Sequence, residues 1–178
     1  MYTNFYGFIN SDFVKKNTTI CGQLEDDFIT PYIILSQEKY IINILGSTLY
    51  NDLQNSVQLY INSGTAISTT YKNLIDNYIK TTVLHYCLFE MIPFMQTKLT
   101  NIGLVEKNSE FSSSSSAKNV DYLRNAVKST ADFYAQKLEK HLCEYNTTLY
   151  PYYSQAYTGD GVDPKDSLSD GFGMFLDF

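Results

Sequence analysis

Residues 1–29 mix Tyr2, Phe5, Tyr6, Phe8 and Phe13 with Asn, Thr and Gly and sustain neither a strand nor a helix period, which predicts an extended N-terminal arm. Helical spacing begins after it. Thr30 offers an N-cap and Pro31 a first helical position, with Ile34, Ile41 and Leu45 along one stripe and Ile33, Tyr40 and Ile44 beside it. Gly46 is expected to end that helix. Ser47 or Thr48 then caps a second helix, in which Leu49, Leu53, Val57 and Ile61 recur every four residues until Asn62-Ser63-Gly64 stops it.

Thr69 or Thr70 opens a third helix from Tyr71, amphipathic at first and then apolar nearly all round, the mark of a central helix. Pro93 is expected to kink or end it, with a short continuation to about Thr100. Asn101-Ile102-Gly103 reads as a turn, and residues 104–118, with Ser112, Ser113, Ser114, Ser115 and Ser116, as a mobile loop that could project into a channel or toward a partner. The fourth helix is the clearest: Val120, Leu123, Val127, Ala131, Tyr134, Leu138, Leu142 and Tyr145 step by three or four, to about Asn146. The pattern then collapses, and residues 154–178 read as an extended tail. No alternating run is long enough to build a sheet, so the expected fold is all-α: a small bundle of about four main helices over residues 30–153, with extended N- and C-terminal arms.

Composition narrows the function. The chain of 178 residues carries 13 Lys plus Arg against 19 Asp plus Glu, and Arg124 is its one arginine, a poor basis for gripping phosphate. Such a surface suits a protein past which DNA slides without sequence-specific binding. Cys21, Cys87 and Cys143 are few and far apart, as expected of reduced thiols in a cytosolic setting. The first ten residues lack the pattern of a secretory signal, and the most apolar stretch, Val83 to Met95, is too short and too interrupted to span a membrane.

Two His-x-Cys pairs, His85 with Cys87 and His141 with Cys143, raise a zinc hypothesis. Residues two apart on a helix project in nearly opposite directions, which favours packing over metal. His85 and Glu90, five apart, are poor neighbours for acid–base work, and a buried polar residue satisfied from a facing element is the better account. No nucleophile elbow, phosphate loop or dinucleotide fingerprint occurs, so neither an enzyme nor a cofactor is expected. The tail is the most telling feature for binding. Asp160, Asp163, Asp166, Asp170 and Asp177 keep it soluble, while Leu168, Phe172, Met174, Phe175, Leu176 and Phe178 supply anchors for a partner, with Tyr2, Phe5, Tyr6 and Phe8 of the N-terminal arm as a second contact.

Several segments in order carry a resemblance. They are Phe13-Val14-Lys15-Lys16 with Thr19-Ile20, and Ile29-Thr30-Pro31-Tyr32-Ile33 leading through Gln37 to Ile44-Leu45-Gly46-Ser47-Thr48-Leu49-Tyr50. Further on come Thr100-Asn101-Ile102-Gly103, Phe133-Tyr134-Ala135, Leu142 with Asn146, and Tyr150-Pro151-Tyr152. Together they resemble the head-to-tail connector proteins of tailed bacteriophages, most closely those of crAss-like and other Bacteroidetes phages. The resemblance implies a helical adaptor, assembled in the host cytoplasm and resident in the virion neck. It would form a homo-oligomeric ring, commonly of twelve copies, joining the portal protein to the next tail or connector ring protein. The ring would extend the DNA channel and help retain the packaged genome, with no catalytic residues and no membrane contact. The rival expectation is a soluble helical adaptor or assembly factor that never enters a particle.

Overall fold

The computed structural model describes residues 7–19, 24–100, 103–106, 117–146 and 148–153. Helix α1 (Ser11–Asn17) lies where an extended arm was expected. Asn10 caps it by accepting from the Phe13 amide at 2.9 Å, Asp12 sits in its first turn and Lys15 and Lys16 in its last. These local signals outweigh the missing periodicity. Helix α2 (Asp26–Ser36) likewise starts before Thr30 and carries Pro31 inside it. Asp26 and Asp27 favour the positive end of the helix dipole, and the Lys15–Asp26 ion pair ties α1 to that end.

A wide π-helical turn, Gln37–Ile41, continues α2 into α3 (Ile42–Ser63). Gly46 breaks α3 at the expected place: its φ of 71° and ψ of 156° belong to a region essentially confined to glycine. Gly64 ends α3 in the left-handed conformation. Ser68 caps α4 (Thr69–Leu74) through the Tyr71 amide, and a second π-turn, Ile75–Ile79, leads into α5 (Lys80–Gln96). The long α6 (Ala117–Tyr145) returns antiparallel to α5. Phe89 faces Arg124, Tyr86 faces Asp132, His85 faces Tyr134 and Tyr78 faces His141 in turn along the pair.

Pro93 does not end α5, which runs on to Gln96. The chain then forms a short antiparallel hairpin, β1 (Thr97–Thr100) with β2 (Gly103–Glu106), where helix and then loop were expected. Threonine, leucine and valine there suit extended backbone better than a continued helix. The serines 112–116 lie outside the described residues. Apart from this hairpin the architecture is all-α, a small helical fold around one core. Val14, Ile29, Ile41, Leu45, Leu49, Leu53, Leu74, Ile79, Leu138 and Leu142 are fully buried in that core, and Phe8 and Ile9 join it from the N-terminal segment.

Candidate functional site

The polar groups inside the bundle bind one another. The Glu90 carboxylate accepts from Lys39 Nζ at 2.7 Å and from the Tyr40 hydroxyl. Burial pushes this carboxyl up, but the two donors outweigh burial and hold it below its ordinary value. The Tyr40 ring stacks on Tyr86 at 3.9 Å, and the Tyr86 hydroxyl donates to Asp132 at 3.0 Å. Three elements are thereby clamped: the first π-turn, α5 and α6.

The candidate His and Cys residues take structural roles. His85 stacks on Tyr134 with ring centres 5.1 Å apart, well away from any pairing with Glu90, whose partners are Lys39 and Tyr40. His141 stacks on Tyr78 at 4.2 Å, and its Nε2 lies 3.1 Å from the Tyr150 hydroxyl. Burial lowers the pKa of both histidines. Burial pushes the Cys87 thiol up to about 12, which keeps it a small core hydrophobe. Cys143 Sγ lies 3.7 Å from the Tyr153 hydroxyl, docking the end of the described chain beside the C-terminal end of α6. Among the described residues no group of three or more His, Cys, Asp or Glu side chains converges on a metal position, and no helix is long and apolar enough to cross a membrane.

The surface is more informative than the interior. The stripe of α3 that buries Leu49, Leu53 and Val57 continues to Tyr60 and Ile61, yet Ile61 is 58% exposed. Periodicity placed it in the core, but α3 runs past the layer that would cover it. Tyr71, at the start of α4, donates to Asp52, so these last turns of α3 lie at the end of the bundle where α4 begins. Leu59, Tyr145, Leu149 and Tyr152 are exposed at this same end. The opposite end repeats the arrangement. The first turns of α6 overhang the body there, leaving Leu123 53% and Tyr122 79% exposed, and Phe94 and Leu35 are exposed nearby, where Tyr32 packs on Phe94. Exposed apolar residues become candidate interaction surfaces where they form a contiguous patch.

The residues singled out as partner contacts divide. Phe8 is buried, edge-on to Tyr50 at 5.8 Å, and its amide donates to Gln37 Oε1 at 2.9 Å, so it serves this chain's own core and not a partner. Tyr2, Phe5 and Tyr6, and Leu168, Phe172, Met174, Phe175, Leu176 and Phe178, lie outside the described residues. Gln37, named above only within the resemblance, is buried and joins Phe8 to the Tyr50 hydroxyl, 3.5 Å from its Nε2. A glutamine on an apolar helix stripe was the available signal.

The model of a family of unknown function, DUF6712, matches residues 41–161. That is about two thirds of the chain. This protein belongs to the DUF6712 family. The family region begins in the first π-turn, so it takes in all of α3, α4, α5 and α6 and leaves α1 and α2 outside. Both bundle ends draw on it: only Leu35 among the exposed residues named above precedes it. No curated protein and no solved structure matches this DUF6712 chain.

Proposed function

We propose that this DUF6712 protein is a structural ring subunit of a tailed-phage neck, joining the portal to the tail and extending the DNA channel without catalysing a reaction. The observation that carries the proposal is the pair of different apolar surfaces at opposite ends of one body. The first is Leu59, Tyr60 and Ile61 with Tyr145, Leu149 and Tyr152, and the second is Leu35, Phe94, Tyr122 and Leu123. A two-fold dimer uses one self-complementary patch, whereas a closed ring needs two unlike patches that meet head to tail.

The acidic balance fits a channel through which DNA slides, because a surface with one arginine offers few phosphate contacts. The ordered likeness to connector proteins, over roughly residues 9–153, supports a place in the neck and implies a ring commonly of twelve copies. Imaging of the purified chain, alone and mixed with a portal protein from the same source, tests the reading. Rings with an open axis that stack on the portal are the expected result. A chain that stays monomeric in both samples at concentrations where portal assembles would refute it.

A further inference from the structure

The outward face of α6 is a stripe that the core does not use. Lys118, Tyr122, Asn125, Ser129, Phe133 and Lys140 follow one another at intervals of three, four or seven, and every one of them is exposed. Residues at that spacing share one side of a helix. Two aromatics are therefore bracketed by lysines, and a shallow hollow of about 400 Å³ opens beside Phe133, lined by Asn125, Lys128, Ser129, Asp132, Phe133 and Gln136. The exposed basic side chains of this face are Lys118, Lys128 and Lys140, Lys128 pairing with Asp132, while Arg124 and Lys137 reach Phe89 and Tyr78.

One segment of the same chain has the complementary chemistry. Residues 154–178 carry five aspartates against the single Lys165, and their last eleven positions hold Leu168, Phe172, Met174, Phe175, Leu176 and Phe178. Length and tether agree as well. The stripe from Lys118 to Lys140 spans about 33 Å at the helical rise, and eleven extended residues span about 36 Å. Tyr153, where the segment departs, is fixed beside Cys143. Residues 154–167 can extend about 46 Å, more than the roughly 38 Å that separates Cys143 from Lys118 along the helix. A tether this short gives the chain's own segment an effective concentration in the millimolar range.

We propose that in the unassembled subunit the segment Leu168–Phe178 docks on this α6 face of its own chain, aromatic side chains against Tyr122 and Phe133 and aspartates beside the bracketing lysines. The docked segment covers a face that would otherwise be sticky, and its anchors become available to a neighbour only when it lets go. That consequence for assembly rests on the ring reading, but the docking itself does not.

The chain contains no tryptophan, so one introduced in the segment reports alone. Phe172→Trp and, separately, Phe175→Trp are made in the full-length chain, and emission is read from the monomer fraction. Docking predicts blue-shifted emission for at least one of them, shifting to the water-like value when Tyr122→Ser and Phe133→Ser are added, with the helical circular dichroism unchanged. It also predicts emission that is constant over a hundredfold dilution. Water-like emission from both reporters, or blue emission that survives both serine substitutions, overturns the proposal. A red shift on dilution overturns the assignment to the same subunit and transfers the contact to a second copy. Failure to form rings would leave the readout intact, so the two proposals fail separately.

Discussion

The guanidinium of Arg124 lies 4.2 Å above the ring of Phe89, and its Nε donates to the Phe89 carbonyl at 3.5 Å. That carbonyl is the one that residue 93 would engage in a regular helix, and Pro93 has no N–H to offer. The chain's one arginine thus lets α5 continue through a proline. Arg124→Ala should cost about 1–3 kcal/mol, for the lost cation–π contact and the exposed carbonyl. Arg124→Lys should recover only part, lacking the planar group. Restoring the donor with Pro93→Ala should make Arg124→Ala cheaper. Urea denaturation of the four proteins gives the coupling, and strict additivity would show that the arginine does not serve the carbonyl.

Gly46 and Gly64 both have positive φ, yet their substitutions should differ. Gly46 is buried, with ψ near the extended range, where side chains are strained, while Gly64 has ordinary left-handed geometry and open space around its Cα. Gly46→Ala should cost about 1–3 kcal/mol. Gly64→Asn should cost less than about 1 kcal/mol, since asparagine tolerates that region. Thermal melts of the two variants compare them directly.

Acid sensitivity should come in two windows. Burial depresses the folded pKa of His85 and of His141, Glu144 offsetting the latter only in part. Their contribution is present above the unfolded value of about 6.5 and is lost as pH falls through it toward the lower folded values. Glu90 is also depressed, because its Lys39 and Tyr40 bonds outweigh burial, so its contribution persists above its ordinary value of 4.5 and is lost only below it. His141→Phe should flatten the upper window, retaining the stack on Tyr78, and Glu90→Gln the lower one. Melting temperature measured against pH for the three proteins checks both.

Matched aspartate substitutions should separate folding from assembly. Leu138 and Leu142 are fully buried in the core. Leu138→Asp or Leu142→Asp should cost more than about 4 kcal/mol and unfold the body. Ile61 continues a core stripe but is exposed, and so is Leu123. Ile61→Asp and Leu123→Asp should change stability by no more than about 0.5 kcal/mol, while each abolishes self-association. Circular dichroism and light scattering on the same samples give the two readouts.

Deleting residues 160–178 removes the apolar anchors of the acidic segment and none of the described core. The truncated chain should keep its helical content and melting temperature and fail to enter particles. Normal particle yield with the truncated protein would remove the segment from the assembly account.

Helix periods are legible wherever a stripe is covered along its whole length, as in α6 from Ala131 to Leu142. Glycine marks boundaries well, at Gly46 and Gly64, whereas α4 is capped by Ser68 and not by the expected Thr69 or Thr70. Proline misleads in both directions: Pro31 lies inside α2 and Pro93 inside α5, where Arg124, distant in sequence, donates to the carbonyl that Pro93 leaves without its helical donor. The short α1 has only its Asn10 cap and charged ends to announce it, too little for a periodicity argument. Periodicity also cannot distinguish a covered stripe from an overhanging one. Ile61 and Leu123 read as core for that reason, and the two apolar ends became visible only once α3 and α6 were set against the body.

Quantitative mass spectrometry of virions purified from the source of this gene, comparing this chain with the portal protein, tests the ring proposal most directly. The account predicts that the two are present in near-equal copy number. Absence of this chain from mature particles that contain portal would contradict it.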